Sequence, residues 1–145
     1  MTDELTARPL DGSVAGKTVL VTAAAGTGIG YATARRCAEE GAAVFLSDLH
    51  ERRLHEAAEK LERETGLRPG LQLCDVTQQS QVDALVATAI GAWGHIDVLV
   101  NNAGLGGYAK VVEMQDEQWA KVLDVTLTAT FRMTRAVLPH MIERR

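Results

Sequence analysis

Short apolar runs alternate with longer stretches in which apolar residues recur at helical spacing. That alternation predicts βαβ units built on a parallel sheet. The strands fall at Thr18 to Thr22, Ala43 to Ser47, Leu71 to Cys74 and Ile96 to Val100. Each is almost continuously apolar, which predicts cover on both faces. From Gln79 to Trp93, the residues Val82, Leu85, Val86, Ala89, Ile90 and Trp93 follow a helical repeat and form one face for packing on a sheet. From His50 to Glu64, Leu54, Ala57, Ala58 and Leu61 form another such face, and Glu56 with Lys60 and Glu59 with Arg63 are spaced for ion pairs on the outside. A further helix begins near Gly28 to Gly30 and carries the small residues Ala32, Ala34, Cys37 and Ala38. The last helix runs from about Asp116 to about Glu143, with Pro139 kinking it or ending its regular part. Trp93 and Trp119 are expected to pack between helix and sheet.

Composition narrows the class of protein. A chain of 145 residues buries roughly 68 to 70% of its unfolded surface, enough for one core. With 46% hydrophobic and 23% charged residues and a net charge of -4, it has the balance of a globular α/β protein. It offers no basic footprint for nucleic acid or an anionic membrane. Residues 1–14 read as a tail with the charges Asp3, Glu4, Arg8 and Asp11, without the apolar segment of a signal peptide. No run is long enough for a membrane span. Two internal cysteines, Cys37 and Cys74, make no disulfide framework, and the cytoplasm is the expected compartment.

Three places carry candidate chemistry. The first strand runs into Thr22-Ala23-Ala24-Ala25-Gly26-Thr27-Gly28-Ile29-Gly30 and then a helix. This arrangement sets free backbone N–H groups and the positive helix end against a pyrophosphate, although it also serves as a packing turn. Asp48 follows the second strand about 20 residues beyond the turn, where a carboxylate accepts ribose hydroxyls and repels a 2′-phosphate; its bland alternative is a helix N-cap. Arg52 and Arg53 lie near enough to meet such a phosphate, with a place on the solvated helix face as their more ordinary role. Asn101-Asn102-Ala103-Gly104 leaves the fourth strand, and its small residues let a ligand lie against the backbone.

Taken together, these motifs resemble those of the short-chain dehydrogenase/reductase family over nearly all of Val14 to Ile142. The turn is similar to that family's T-G-x-x-x-G-I-G, with Ala24 four residues before Gly28 where the family usually has Gly, and with Thr22 one place early. Its loop is thus one residue longer. The resemblance implies an α/β, Rossmann-like doubly wound parallel sheet of about four strands and four helices over residues 15–145. It implies cofactor contacts at Gly26, Thr27, Gly28, Ile29, Gly30, Asp48, Leu49, Asp75, Val76, Asn102, Ala103 and Gly104. Asp48 tilts the choice to NAD, because NADP users commonly carry a basic residue at the places of Thr27 or Leu49. Asp75 matches an adenine-contacting Asp, with capping of the next helix as the alternative.

Hydride transfer in that family uses a Ser and a Tyr-x-x-x-Lys pair, the Lys lowering the Tyr pKa for acid–base work. Neither occurs here: Tyr31 is followed at i+4 by Arg35, Tyr108 by Val112, and no serine follows Ser80. The expectation is a cofactor-binding part without the C-terminal catalytic half and without turnover of alcohol or ketone. Thr126 stands where the family has a helical Asn, and its hydroxyl offers a place in a water network. The altered turn with Thr126 resembles a steroid-catabolic branch.

The alternatives belong to other classes. One is a non-catalytic binding module whose uncovered sheet edge and helix face drive self-association or pairing with a full-length homologue. Another is an S-adenosylmethionine methyltransferase, which wants an acid before the glycines where Val21-Thr22 stands. His50 and His55 are five apart and diverge by about 140° around a helix, so no metal site is expected.

Overall fold

A computed structural model describes residues 12–145; most of the expected tail, residues 1–14, lies outside the described residues. Four parallel strands, β1 (Thr18–Val21), β2 (Ala43–Asp48), β3 (Gly70–Leu73) and β4 (Val98–Val100), form one sheet in the order β3-β2-β1-β4. The crossovers α1 (Ile29–Glu39), α2 (Glu51–Thr65) and α3 (Gln79–Trp93) match the expected helices to within a residue or so. Gly66 and Gly94 end α2 and α3 in the left-handed conformation that favours glycine, at φ of 73° and 77°.

The sheet separates two apolar clusters. Val19, Val21, Val44 and Leu46 point to α1 and α2, while Leu20 and Phe45 point to α3 and the last helix. This alternation along each strand explains why β1 and the centre of β2 read as continuously apolar: both faces are covered. β3 and β4 are the outer strands and are only half buried, so full cover holds for the inner pair alone. Trp93 packs as expected, edge-on to Phe45 with ring centroids 5.5 Å apart. Trp119 does not; it is 57% exposed on the last helical rod. Glu59 pairs with Arg63, but Glu56 turns back to Arg52 at 2.7 Å rather than forward to Lys60, which pairs with Glu64.

The last rod departs most from the periodic reading. It consists of α4 (Asp116–Leu123), a π-helical turn (Asp124–Thr128) and α5 (Ala129–Arg144), with right-handed helical backbone across both junctions. Pro139 lies inside α5 and does not end it. Its missing N–H frees only the carbonyl of exposed Arg135, which water can satisfy. The irregularity falls earlier, at the π turn, which Arg132 spans with a 2.7 Å ion pair to Asp124.

At the start of the sheet Asp97 joins β4 to β1. Its carboxylate accepts the Thr18 backbone N–H at 2.8 Å and the Thr18 hydroxyl at 3.2 Å, with His95 at 3.1 Å. Burial raises the Asp97 pKa, but the Thr18 hydrogen bonds and the His95 charge outweigh it and leave the carboxyl below its ordinary value. A folded-state pKa below the unfolded one stabilises the fold above about pH 4, and the contribution drains away as pH falls through the lowered value. Asp97→Asn should therefore flatten the acid limb of a stability-against-pH curve while leaving the alkaline limb alone. Parallel acid limbs for the two proteins, measured by urea denaturation, would refute this.

Candidate functional site

The strand order places the site. From β1 the chain winds outward through β2 to β3, then returns to the other side of β1 with β4. Loops leaving neighbouring strands in opposite senses open a crevice at the carboxyl ends of β1 and β4. The glycine-rich turn and the Asn-Asn-Ala-Gly segment both emerge there.

The turn is held from three sides. Ala23 has a positive φ of 50° and Gly26 one of 99°. The reversal is thus shared between a glycine and an alanine in a conformation that costs non-glycine residues roughly 1–2 kcal/mol. The Ala24 N–H donates to the Ser47 carbonyl at 3.0 Å, and the Ala25 N–H donates to Asp48 Oδ2 at 3.0 Å. Asp48 is therefore a brace for the turn. It is not the α2 N-cap, a position that falls to His50 without any side-chain cap bond. Its other oxygen, Oδ1, accepts the His50 backbone N–H at 3.0 Å and faces His50 Nδ1 at 3.2 Å.

Thr22 and Asn102 lock the turn to β4. The buried Thr22 hydroxyl accepts the backbone N–H groups of Asn102 at 3.0 Å and Ala103 at 3.2 Å. The Asn102 amide donates to the carbonyls of Thr22 at 3.1 Å and Ala23 at 3.0 Å. Asn101 faces the other way, donating to Thr134 of α5 at 3.3 Å. The two adjacent asparagines thus tie the end of β4 to the turn after β1 and to α5. Gly30 is buried beneath this lattice, where a Cβ would lie 2.7 Å from the Ala23 carbonyl oxygen and collide with the Asn102 amide.

Between these elements lies a cleft of about 420 Å³, lined by Asp48, Leu49, Asp75, Val76, Ala103 and Gly104 among others. Those six expected site residues therefore converge. Gly26, Thr27, Gly28 and Ile29 rim the turn beside it, with Ile29 79% exposed. A Cβ at Gly26 or Gly28 would meet nothing within 4 Å, and Gly28 is the N-cap of α1 with no side-chain cap bond. An open cradle with uncapped helix N–H groups fits a pyrophosphate.

Asp75 has the turn role offered as its alternative: Oδ1 accepts the Thr77 N–H at 2.9 Å and hydroxyl at 2.7 Å. It nevertheless lines the cleft. Thr126 sits in the π turn, where its hydroxyl accepts the Leu105 backbone N–H at 3.1 Å. The hydroxyl is occupied in holding the loop after Gly104. The expected contacts did not include Ala23 and Ala25 of the turn, nor Lys121 and Val125 of the last rod, which carry no motif signal; all four also line the cleft. Burial, with Asp75 nearby, pushes the Cys74 thiol up to about 11, leaving it an inert part of the wall. Burial and Glu64 likewise push the Tyr31 phenol up, and it donates to Glu64 at 2.8 Å beneath Lys60. Tyr31 is a strut between α1 and α2.

A parallel sheet with a glycine turn, an acid at the end of β2 and a crevice at the switch point defines a Rossmann-type dinucleotide-binding protein. Similarity to known proteins gives the particular family: the profile for short chain dehydrogenase matches residues 17–145, and the chain belongs to that family. It is 56% identical over 129 residues to (5R,7aS)-5-hydroxy-7a-methyl-1-oxo-2,3,5,6,7,7a-hexahydro-1H-indene-carboxyl-CoA reductase of Mycobacterium tuberculosis, covering 89% of this chain and 49% of the relative. L-sorbose reductase from Gluconobacter frateurii, solved with NADPH and L-sorbose, aligns at a TM-score of 0.85 and 36% identity, over 92% of this chain and 51% of that one. NAD⁺-bound xylitol dehydrogenase aligns at 0.85 and 37%, over 91% and 50%. The chain spans about half the length of the curated relatives it matches. Among the described residues no helix is long and apolar enough to cross a membrane.

Proposed function

We propose that the cleft holds the dinucleotide of an NAD(P)-dependent alcohol dehydrogenase or ketone reductase. The observation that carries this is the convergence of the glycine turn, Asp48 and the Ala103-Gly104 backbone on one crevice. Gly26 to Gly30 would cradle the pyrophosphate, Asp48 and Leu49 the adenosine ribose, Asp75 and Val76 the adenine, and Asn102 to Gly104 the second ribose. The dinucleotide, when bound, supplies or accepts the hydride. The chain's own part is to bind it, brace the turn through Asp48 and Thr22, and hold the Leu105 loop through Thr126.

Asp48 favours NAD, through its hydrogen-bonding capacity for ribose hydroxyls. Similarity to the indene-carboxyl-CoA reductase supports a fused-ring alcohol or ketone as substrate, and two free internal cysteines fit a cytoplasmic setting. Residues 1–145 supply no Tyr-x-x-x-Lys, so in this reading the present chain binds cofactor without turning it over. Calorimetric titration with NAD⁺ should show saturable binding that is lost in Gly28→Ala, where the added methyl group enters the cradle. Absence of saturable binding to the unmodified chain, or sustained NAD⁺ reduction with hydroxy-steroid substrates, would overturn the respective parts.

Self-association is part of the same proposal. Leu127, Phe131, Leu138 and Ile142 are 65%, 57%, 45% and 63% exposed along the last rod. A contiguous apolar stripe of this kind favours burial against another surface. Light scattering should find a dimer or larger, and a monomer at micromolar concentration would count against it.

A further inference from the structure

A second cavity opens at the amino ends of the strands, across the sheet from the dinucleotide cleft. Its volume is about 260 Å³, a little under the roughly 300–1,000 Å³ of pockets that take drug-sized ligands. Ala43 at the start of β2 and Pro69 just before β3 line it, together with Ala38 of α1, Leu61 of α2 and Trp93 at the end of α3. The room comes from small residues, since Gly41-Ala42-Ala43 offers no side chain larger than a methyl group where β2 begins. Trp93 is fixed by its edge-on contact with Phe45 and makes a stiff aromatic wall.

The backbone donors around this cavity are already spent. The N–H of Gly41 donates to the Ala38 carbonyl at 2.9 Å, that of Ala42 to Cys37 at 3.0 Å and that of Gly66 to Glu62 at 2.8 Å, which closes the ends of α1 and α2. Arg68 differs: it lines the cavity, is exposed, and makes no hydrogen bond or ion pair among the described residues. It precedes Pro69, and a residue before proline is kept out of the helical region. The cation therefore stands on a stiff connector beside an apolar hollow.

We propose that this cavity is a second ligand site, taking a small carboxylic acid with an aliphatic tail: the tail lies against Leu61, Pro69 and Trp93, and the carboxylate meets Arg68. A guanidinium fork matches a carboxylate with two parallel hydrogen bonds. A phosphate group would call for further donors, and the neighbouring N–H groups are engaged. The cavity and the dinucleotide cleft share no lining residue, so this inference stands apart from the dinucleotide reading.

Trp93 supplies the readout. In a Trp119→Phe chain it is the sole tryptophan, and hexanoate should move its emission to the blue, saturably, by displacing water from the ring. Two further buried methylenes should make hexanoate bind about tenfold more tightly than butanoate. Arg68→Gln should weaken hexanoate about three- to fivefold, the scale of an exposed ion pair, while changing 1-hexanol by less than about twofold. Arg68→Lys should recover part of the loss. Ala43→Leu, which fills the cavity from a half-buried position, should remove the response to both probes, and Lys121→Gln in the dinucleotide cleft should leave it intact. Arg68 is exposed, so its variants should melt with the parent by circular dichroism and keep the test open if Ala43→Leu fails to fold. The proposal is overturned by an unsaturable response to hexanoate, by equal effects of Arg68→Gln on hexanoate and 1-hexanol, by full binding in a folded Ala43→Leu chain, or by loss of binding in Lys121→Gln.

Discussion

Gly30→Ala is expected to lower folding stability by about 1–3 kcal/mol, the usual cost of overpacking, and to weaken dinucleotide binding by more than about tenfold. The reason is space, since the added Cβ meets a backbone carbonyl, that of Ala23 at 2.7 Å, as well as the Asn102 amide. A carbonyl in a turn already braced by Asp48 and Ser47 cannot yield as a side-chain tip would. Relief requires displacing the turn or breaking the Asn102 hydrogen bonds, and either movement deforms the crevice. Gly28→Ala is the control, because a Cβ there meets nothing within 4 Å. It should keep stability and lose binding, whereas Gly30→Ala loses both. Urea denaturation paired with NAD⁺ calorimetry separates them, and a Gly30→Ala protein as stable as the parent would sink the steric account.

Thr22→Val is expected to cost about 2–4 kcal/mol despite near-identical shape. The side chain is 1% exposed, and its hydroxyl serves two backbone donors and lies 3.3 Å from the Val100 carbonyl it donates to. A methyl group in its place leaves the N–H groups of Asn102 and Ala103 without that acceptor. Each buried donor left unpaired costs about 1–3 kcal/mol. Amide hydrogen exchange should report loss of protection at Asn102 and Ala103 ahead of the sheet, and Thr22→Ser should recover most of the stability. Wild-type protection at both amides in Thr22→Val would show that the hydroxyl does not hold this junction.

The acid that ends β2 shows how far sequence position reaches. Spacing from the glycine turn put Asp48 in the site and left N-capping as its rival, and the carboxylate does line the cleft. Spacing could not show that the same group braces Ala25 and binds the His50 ring. Those partners depend on how two loops cross in space. The turn behaves similarly: its glycines announced a reversal, but the positive φ of Ala23 has no residue-level signal, because alanine is chosen against there and is held by the surrounding hydrogen bonds. At the C-terminal end the proline drew the expected break to position 139. The actual irregularity is the π turn around Thr126, whose hydroxyl reaches back to Leu105.

By itself the sequence determined the βαβ alternation, the boundaries of α1 to α3, the buried faces of α2 and α3, and the family. These depend on periodicity and on local backbone chemistry, which residues within one element carry among themselves. Tertiary structure alone decided which strands are half exposed, that Trp119 faces outward, that Glu56 pairs with Arg52, and which acceptors Asp48, Thr22 and Thr126 have left for a ligand. Such outcomes are set by competition among groups brought together from distant parts of the chain. Each polar atom has few bonding directions, and only the folded geometry shows which are already spent.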